Sequence, residues 1–370
     1  MFTDVKAAIA HTTLPRICAR TNAIARNVPH VVVVGGGIIG ASIAWHLARR
    51  GAPVTVLERE RAIARGVTGH SYGWVGTGSR LPSEHPAGFA LEQRALAQFA
   101  QLTQALGPLP VAAQGGLIWL DSEQETLAML AEQQAAGVSM MAVGRERIRE
   151  LEPGLVQPPD MAIWSPDDFA VEPDALAERL LAAAQGEGAK VLEACEVLAL
   201  EVQGARITGV RTHAGIVPAD VVVLANAMGA QSLARQLGQA LPIHEAPAVL
   251  LRFDAAQVPL RHLLYGQSLE VRPGRGGGLL SAADFPGEAG MAELGRSSLQ
   301  AVASLFHPSC ELSLRSIQAV YRPKTDSGLP LRTFLEGFEG LYVTVAHPGV
   351  ILAPLMGSEA CEDILKGQMP

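Results

Sequence analysis

Residues 31–60, VVVVGGGIIGASIAWHLARRGAPVTVLERE, constrain this chain more than any other stretch. Four valines in a row, Val31 to Val34, suit a parallel strand with both faces buried. Gly35 permits a tight turn off that strand, Gly37 lets the backbone approach a pyrophosphate, and Gly40 lets the next helix pack against the strand. Ile39, Ile43 and Leu47 recur at helical spacing and form the stripe that faces the sheet. Residues 54–57 make a second strand, which delivers Glu58 to its tip, where a carboxylate accepts both hydroxyls of an adenosine ribose. The helix N-terminus turns its free N–H groups and positive dipole end toward the phosphates. Together these elements build a βαβ unit that holds the ADP half of a dinucleotide. A 2′-phosphate would call for an arginine where Glu58 stands, so the residues point to FAD or NAD rather than NADP.

The rest of the chain sets bounds on that reading. A length of 370 residues suits two domains. With 48% hydrophobic and 18% charged residues the composition is that of a globular protein, and no run is long enough for a transmembrane helix. A net charge of −7 gives no support to nucleic-acid or anionic-membrane binding. Cys18, Cys195, Cys310 and Cys361 show no CxxC or metal spacing, so no metal site is expected and the thiols read as reduced, in a cytoplasmic protein. Residues 1–30 form an N-terminal extension, with Lys6, Arg16, Arg20 and Arg26 against Asp4 and no continuous apolar core for a secretory signal. A segment that docks a partner subunit is an alternative reading of this extension.

Along the chain, residues 61–79 are rich in Gly, Ser and Thr and too irregular for a helix. Residues 87–106 read as an amphipathic helix on Phe89, Leu91, Leu96, Phe99 and Leu102, followed by a strand at 115–120 and helices at 122–136 and 145–152. A second α/β block spans 173–230: helix 174–185, a strand near 190–193, a β-meander over 196–217, then strand 221–225, which ends in a small-residue turn. Residues 243–285 alternate like antiparallel strands, a helix follows near 288–306, and 341–365 reads as strand, glycine turn and helix. The expected fold is therefore α/β. A discontinuous Rossmann-like cofactor domain takes 31–80, 154–240 and 322–370, and an antiparallel-sheet α+β substrate domain takes 81–153 and 241–321.

Four ordered motifs, the fingerprint at 31–60, SYGWVG at 71–76, VVVLANAMGA at 221–230, and YRPKTDSGLP with AHPGVILAPLMG at 321–357, carry a resemblance. The sequence resembles the D-amino-acid oxidase superfamily of FAD-dependent oxidoreductases, in its glycine oxidase, sarcosine oxidase and D-amino-acid dehydrogenase branch. The resemblance implies bound FAD. Ile38 and Ile39 would border its pyrophosphate, with Glu58 and Arg59 on its ribose. Val67, Thr68, Tyr72, Gly73 and Trp74 would lie along pyrophosphate and flavin. Val197 would meet the adenine through its backbone, and Ala225, Asn226 and Gly229 would lie near the ADP portion. His347, Pro348, Gly349, Val350, Ile351 and Leu352 would bring N–H groups and a helix N-terminus to the flavin's N1–C2=O edge. Arg322 stands where the family places an arginine on the substrate carboxylate, a pairing that suits a guanidinium because it offers parallel donors. His347 either contributes to the site or caps a turn, and Tyr265 either reaches the pocket or is a half-buried sheet tyrosine. No cysteine lies in 321–330 or 344–352, so the FAD is expected to be non-covalent.

The resemblance departs at Leu331 and Arg332, where relatives often carry a small residue and Gly, and at Asn226-Ala227-Met228-Gly229. It implies oxidation of an amino acid or carboxylate-bearing amine by hydride loss from the α-carbon to flavin N5, and an imine hydrolysed to a keto acid. Electrons would pass to O2, or to a quinone or partner subunit if the chain is the catalytic subunit of a hetero-oligomeric amino-acid, hydroxyproline or opine dehydrogenase. A quinone link would place the protein peripherally at the inner membrane. A homo-oligomer is equally compatible. Two other readings stay open: an NAD-dependent dehydrogenase with one contiguous nucleotide domain, and a flavin-binding subunit without a substrate site.

Overall fold

The computed structural model describes residues 28–256, 258–266 and 269–367, so the expected N-terminal extension lies outside the described residues as far as residue 27. The valine run lies inside a six-stranded sheet ordered Leu331–Phe334, Leu341–Val345, Val221–Leu224, Val31–Val34, Val54–Leu57 and Lys190–Leu192. Its strands are parallel except Leu331–Phe334, which runs antiparallel at one edge. Val31 and Val33 face a core shared with helices Ile38–Arg49, Pro173–Gly186 and Gly349–Lys366. Val32 and Val34 face the opposite way, against the antiparallel meander Val197–Gln203, Arg206–Thr212 and Gly215–Pro218. A strand covered on both sides needs apolar residues at every position, and each buried valine contributes about 1.5–3 kcal/mol.

Parallel strands end at the same edge of their sheet, and this one fact assembles the site. The chain leaves Val34 into Gly35, Leu57 into Glu58, Leu224 into Ala225, and Val345 through Ala346 into His347. These four segments, up to about 310 residues apart in sequence, meet at the carboxyl edge of the sheet, where open α/β sheets bind ligands.

A second sheet of nine strands stands beside that edge. Its main path is Glu311–Thr325, Ile243–Ala256, Leu279–Asp284, Leu269–Pro273, Leu263–Gly266, Val111–Trp119, Met161–Val171 and Trp74–Val75, with Met141–Gly144 paired to Met161–Val171. Val249, Leu251, Phe253, Val271 and Leu279 pack with helix Met291–Ser304 on one face. Leu250, Leu280 and Val320 point to the other face, toward Val67 and Tyr72.

Three details differ from the sequence reading. The second sheet is not wholly antiparallel, because Leu263–Gly266 pairs in parallel with Val111–Trp119. Residues 161–171, grouped above with 154–240, pair instead with Val111–Trp119 in this second sheet. Their polar Ser165-Pro166-Asp167-Asp168 run and a register shift mask the alternation that marks a strand. The irregular 61–79 segment contains a short 3-10 helix, Val67–His70, and the two-residue strand Trp74–Val75. Arg332, a departure from the family pattern, bonds the edge strand to the C-terminal helix through Glu359 (3.2 Å) and Asp363 (3.0 Å).

Candidate active site

A cavity of about 650 Å³ lies between the carboxyl edge of the six-stranded sheet and the Leu250 face of the nine-stranded sheet. It is lined by Gly35, Gly37, Ile38, Ile39, Glu58 and Arg59 from the fingerprint, and by Val67, Thr68, Tyr72, Gly73 and Trp74 from the segment after it. Val197, Ala225, Asn226 and Gly229 line it from the middle of the chain, and Arg322, His347, Pro348, Gly349, Val350 and Ile351 from the end. Three of the residues singled out from the sequence lie elsewhere. Gly40 sits behind the turn, where a Cβ would overlap the Gly35 carbonyl oxygen. Leu352 is buried behind the helix end. Tyr265 packs edge-on to the Trp74 ring at 6.2 Å and is half-buried beside the cavity wall, in line with the reading of it as a half-buried sheet tyrosine.

Two features fit a dinucleotide. First, helices Ile38–Arg49, Gly229–Gln236 and Gly349–Lys366 begin at the cavity wall without a side-chain cap, so N–H groups and positive dipole ends face the cavity. Gly35 holds a φ of +106°, and a Cβ there would stand 2.9 Å from the Ala225 carbonyl oxygen, so glycine is required for the close approach. Thr68 Oγ1 accepts the Ile38 N–H at 3.0 Å and fixes the first turn of the helix against the 3-10 segment. Second, the cavity wall includes polar residues, among them Tyr72, Asn226 and Thr344. The Glu58 carboxylate, buried at the second strand's tip, accepts the Gly36 N–H at 2.7 Å and the Glu60 N–H at 2.9 Å. These two bonds set its orientation and leave lone pairs for hydroxyl donors.

Arg322 comes from the long strand Glu311–Thr325, opposite Ala246. Its Nε donates to the Ala246 carbonyl at 3.2 Å and its Nη2 to the Pro247 carbonyl at 3.1 Å. Among the described residues Arg322 forms no ion pair, and Nη1 makes no hydrogen bond. Burial works against its charge, with Asp284 supporting it and Arg80 opposing it. The result is an oriented, half-buried cation with free donors facing the cavity.

His347 stays neutral beside it. Burial first, then the charges of Arg322, Lys324 and Arg80, push its pKa down to about 3. The folded value lies below that of the unfolded chain, so on acidification the unfolded chain takes up the proton first. Folded-state stability is therefore lost as the pH falls from about 6.5 toward about 3. His347→Gln should remove this term and lose less stability between about pH 7 and about pH 5, by about 1 kcal/mol after allowing for partial exposure. Urea denaturation at both pH values checks this, and equal losses in the two proteins would refute it.

Three residues that the sequence reading missed shape the same wall. Asp168, buried in strand Met161–Val171, accepts Trp74 Nε1–H at 2.8 Å and the Gly78 N–H at 3.0 Å, and so holds the indole against the cavity. Burial raises its pKa to about 6 against these bonds. Arg272, fully buried, donates from Nε to the Tyr72 carbonyl at 2.6 Å, pairs with Glu172 at 3.2 Å and stacks on the Tyr72 ring at 5.4 Å. Glu270, two residues earlier, lines the cavity, and burial lifts its carboxyl to about 7. Charged residues within the otherwise apolar run LEVRP were the available signal for the last two.

Comparison with known proteins accords with this geometry. The family model described as FAD dependent oxidoreductase (DAO) matches residues 30–362. Glycine oxidase of Pseudomonas putida is 28% identical over 360 residues, covering 92% of this chain and 95% of that protein. Among solved structures, glycine oxidase from Bacillus cereus aligns with a TM-score of 0.80 at 24% identity, over 92% of this chain and 98% of that one. L-Amino acid deaminase from Proteus myxofaciens aligns with a TM-score of 0.78 at 19% identity, over 92% and 90%. At these identities the structural likeness is one of fold.

Proposed function

The chain belongs to the DAO family of FAD-dependent oxidoreductases, and from that premise we propose that it oxidises a carboxylate-bearing primary or secondary amine to an imine, which water hydrolyses to a keto acid. The observation that carries this reading is Arg322, an unpaired guanidinium oriented into the cavity that also holds the dinucleotide features. A half-buried cation without an ion-pair partner is incompletely solvated, and a ligand carboxylate supplies that partner while being fixed by two parallel donors.

The chain's residues divide the work. Glu58 takes the adenosine ribose, and the N-terminus of helix Ile38–Arg49 takes the pyrophosphate of a non-covalent FAD. The N–H groups of Gly349, Val350 and Ile351 supply positive potential where negative charge develops on reduction. When bound, FAD supplies the two-electron acceptor. Arg322 anchors the substrate carboxylate and so fixes where the α-C–H points, which converts binding energy into orientation. Burial keeps His347 uncharged, so it adds no second cation beside Arg322.

The test is anaerobic mixing of the holoenzyme with a panel of D- and L-amino acids, N-methyl amino acids, prolines and opines, following the visible flavin absorbance. At least one of them should bleach it. A flavin that none of them bleaches would contradict the proposal. Admitting air to the bleached sample then shows whether O2 takes the electrons.

A further inference from the structure

We propose that Glu270 is the second pole of the substrate site and binds the positively charged nitrogen of a zwitterionic amino acid whose carboxylate rests on Arg322; this builds on the function proposed above. Glu270 and Arg322 share one face of one sheet. Glu270 pairs in register with Ala282, Ala282 with Leu250, and Arg322 with Ala246, four residues along from Leu250. Side chains on a strand alternate in direction, so these even-spaced positions all point the same way. Glu270, Ala282, Leu250 and Arg322 all line the cavity.

Arg80 is paired with the buried Glu92 at 3.3 Å, and Arg272 with Glu172 at 3.2 Å. Among the described residues Glu270 makes neither an ion pair nor a hydrogen bond, and Arg322 makes no ion pair. Glu270 and Arg322 thus present an anion and a cation without ion-pair partners among the described residues on one face of the cavity wall, with Asp284 on the same face supporting the Arg322 charge, and a zwitterion offers a counterpart to each pole. The anion also has an aromatic setting. Tyr265 lies opposite Glu270 in register, and Trp74 links Tyr265 to Tyr72 with ring centroids 6.2 and 6.4 Å apart. Its charge acts on both tyrosines and raises their pKa values after burial has done so. A carboxylate beside aromatic faces is a setting that favours ammonium groups.

The same carboxylate can take the proton that must leave before oxidation. The ammonium N–H bond breaks, the proton passes to a Glu270 oxygen, and cation plus carboxylate become neutral amine plus carboxylic acid. Burial raises the Glu270 pKa to about 7, with Arg80 and Arg272 pulling it down and Tyr72 and Tyr265 as the facing titratable groups. It is therefore poised to gain or lose a proton near neutrality.

The test is isothermal titration calorimetry on dithionite-reduced holoenzyme, which cannot turn over. Proline and N-methylglycine are compared with their carbon isosteres cyclopentanecarboxylate and butyrate. Wild-type protein should bind at least one of the amino acids more tightly than its isostere. Glu270→Gln should weaken that amino acid by about 10- to 100-fold and move the isostere by less than about twofold. Glu270→Asp keeps the charge and should show a smaller loss with the same selectivity, and it carries the test if the glutamine variant does not retain FAD. Isosteres that bind wild type as tightly as the amino acids, or Glu270 variants that shift both ligands equally or neither, would overturn the inference. Arg322→Ala in the same titration weakens both ligands if the function proposed above holds. Loss of neither in that variant would count against that function, separately from Glu270.

Discussion

Arg322→Ala should lower kcat/KM for the amine substrate by about 2–5 kcal/mol, roughly 30- to 5000-fold, with the FAD content of the protein unchanged. The size follows from how the guanidinium is held. Two of its five donor hydrogens are committed to the Ala246 and Pro247 carbonyls, so its orientation is set before substrate arrives. Three remain for a carboxylate. In the alanine variant the substrate carboxylate would enter a half-buried wall with no counter-charge and lose both solvation and alignment. Arg322→Lys should recover only part of the activity, because an ammonium cannot offer two parallel donors. Steady-state kinetics and the ratio of flavin to protein absorbance measure both effects. Unchanged kcat/KM would remove Arg322 from the substrate site.

Gly40→Ala should cost the protein its flavin, with FAD affinity falling by at least about 100-fold. Helix propensity alone argues the other way, since alanine inside a helix is about 1 kcal/mol better than glycine. The added Cβ, however, would overlap the Gly35 carbonyl oxygen, part of the turn that approaches the Ala225 backbone. Neither turn can yield easily, because Gly35 already holds a φ of +106° and helix Ile38–Arg49 is packed against Pro173–Gly186 and Gly349–Lys366. The helix must move away from the strand, carrying its N-terminus off the pyrophosphate. Reconstitution of the apoprotein with FAD, followed by flavin fluorescence, measures the affinity. Near wild-type affinity would mean that this helix end does not seat the phosphates.

What the sequence made legible was local. Val31 to Val34, the glycine turn and Glu58 fall within 28 residues, and their spacing follows from strand and helix geometry. The helix at 122–136 was equally readable, because Ser122 and Glu125 form a capping box at its start. The cavity's other wall was not. Asp168 acts on Trp74 across 94 residues and Arg272 on Tyr72 across 200, and no local period encodes such pairs. Strand Met161–Val171 escaped notice because its polar Ser165-to-Asp168 run, with Asp168 buried on hydrogen bonds to Trp74 and Gly78, breaks the hydrophobic alternation. Arg322 was found through the family motif around it, whereas Glu270 becomes visible only once strand register shows which residues share its face.

On the mechanism proposed here, the cavity oxidises an amine whose carboxylate is anchored on Arg322. The most direct measurement is the anaerobic rate of flavin bleaching by an amino acid found to reduce the holoenzyme, compared with the amine of the same skeleton lacking the carboxylate. The carboxylate-bearing compound should bleach the flavin at least about 100-fold faster at equal concentration, the loss expected when the half-buried Arg322 has no carboxylate to align. Equal rates for the two compounds would show that no carboxylate anchor orients the substrate.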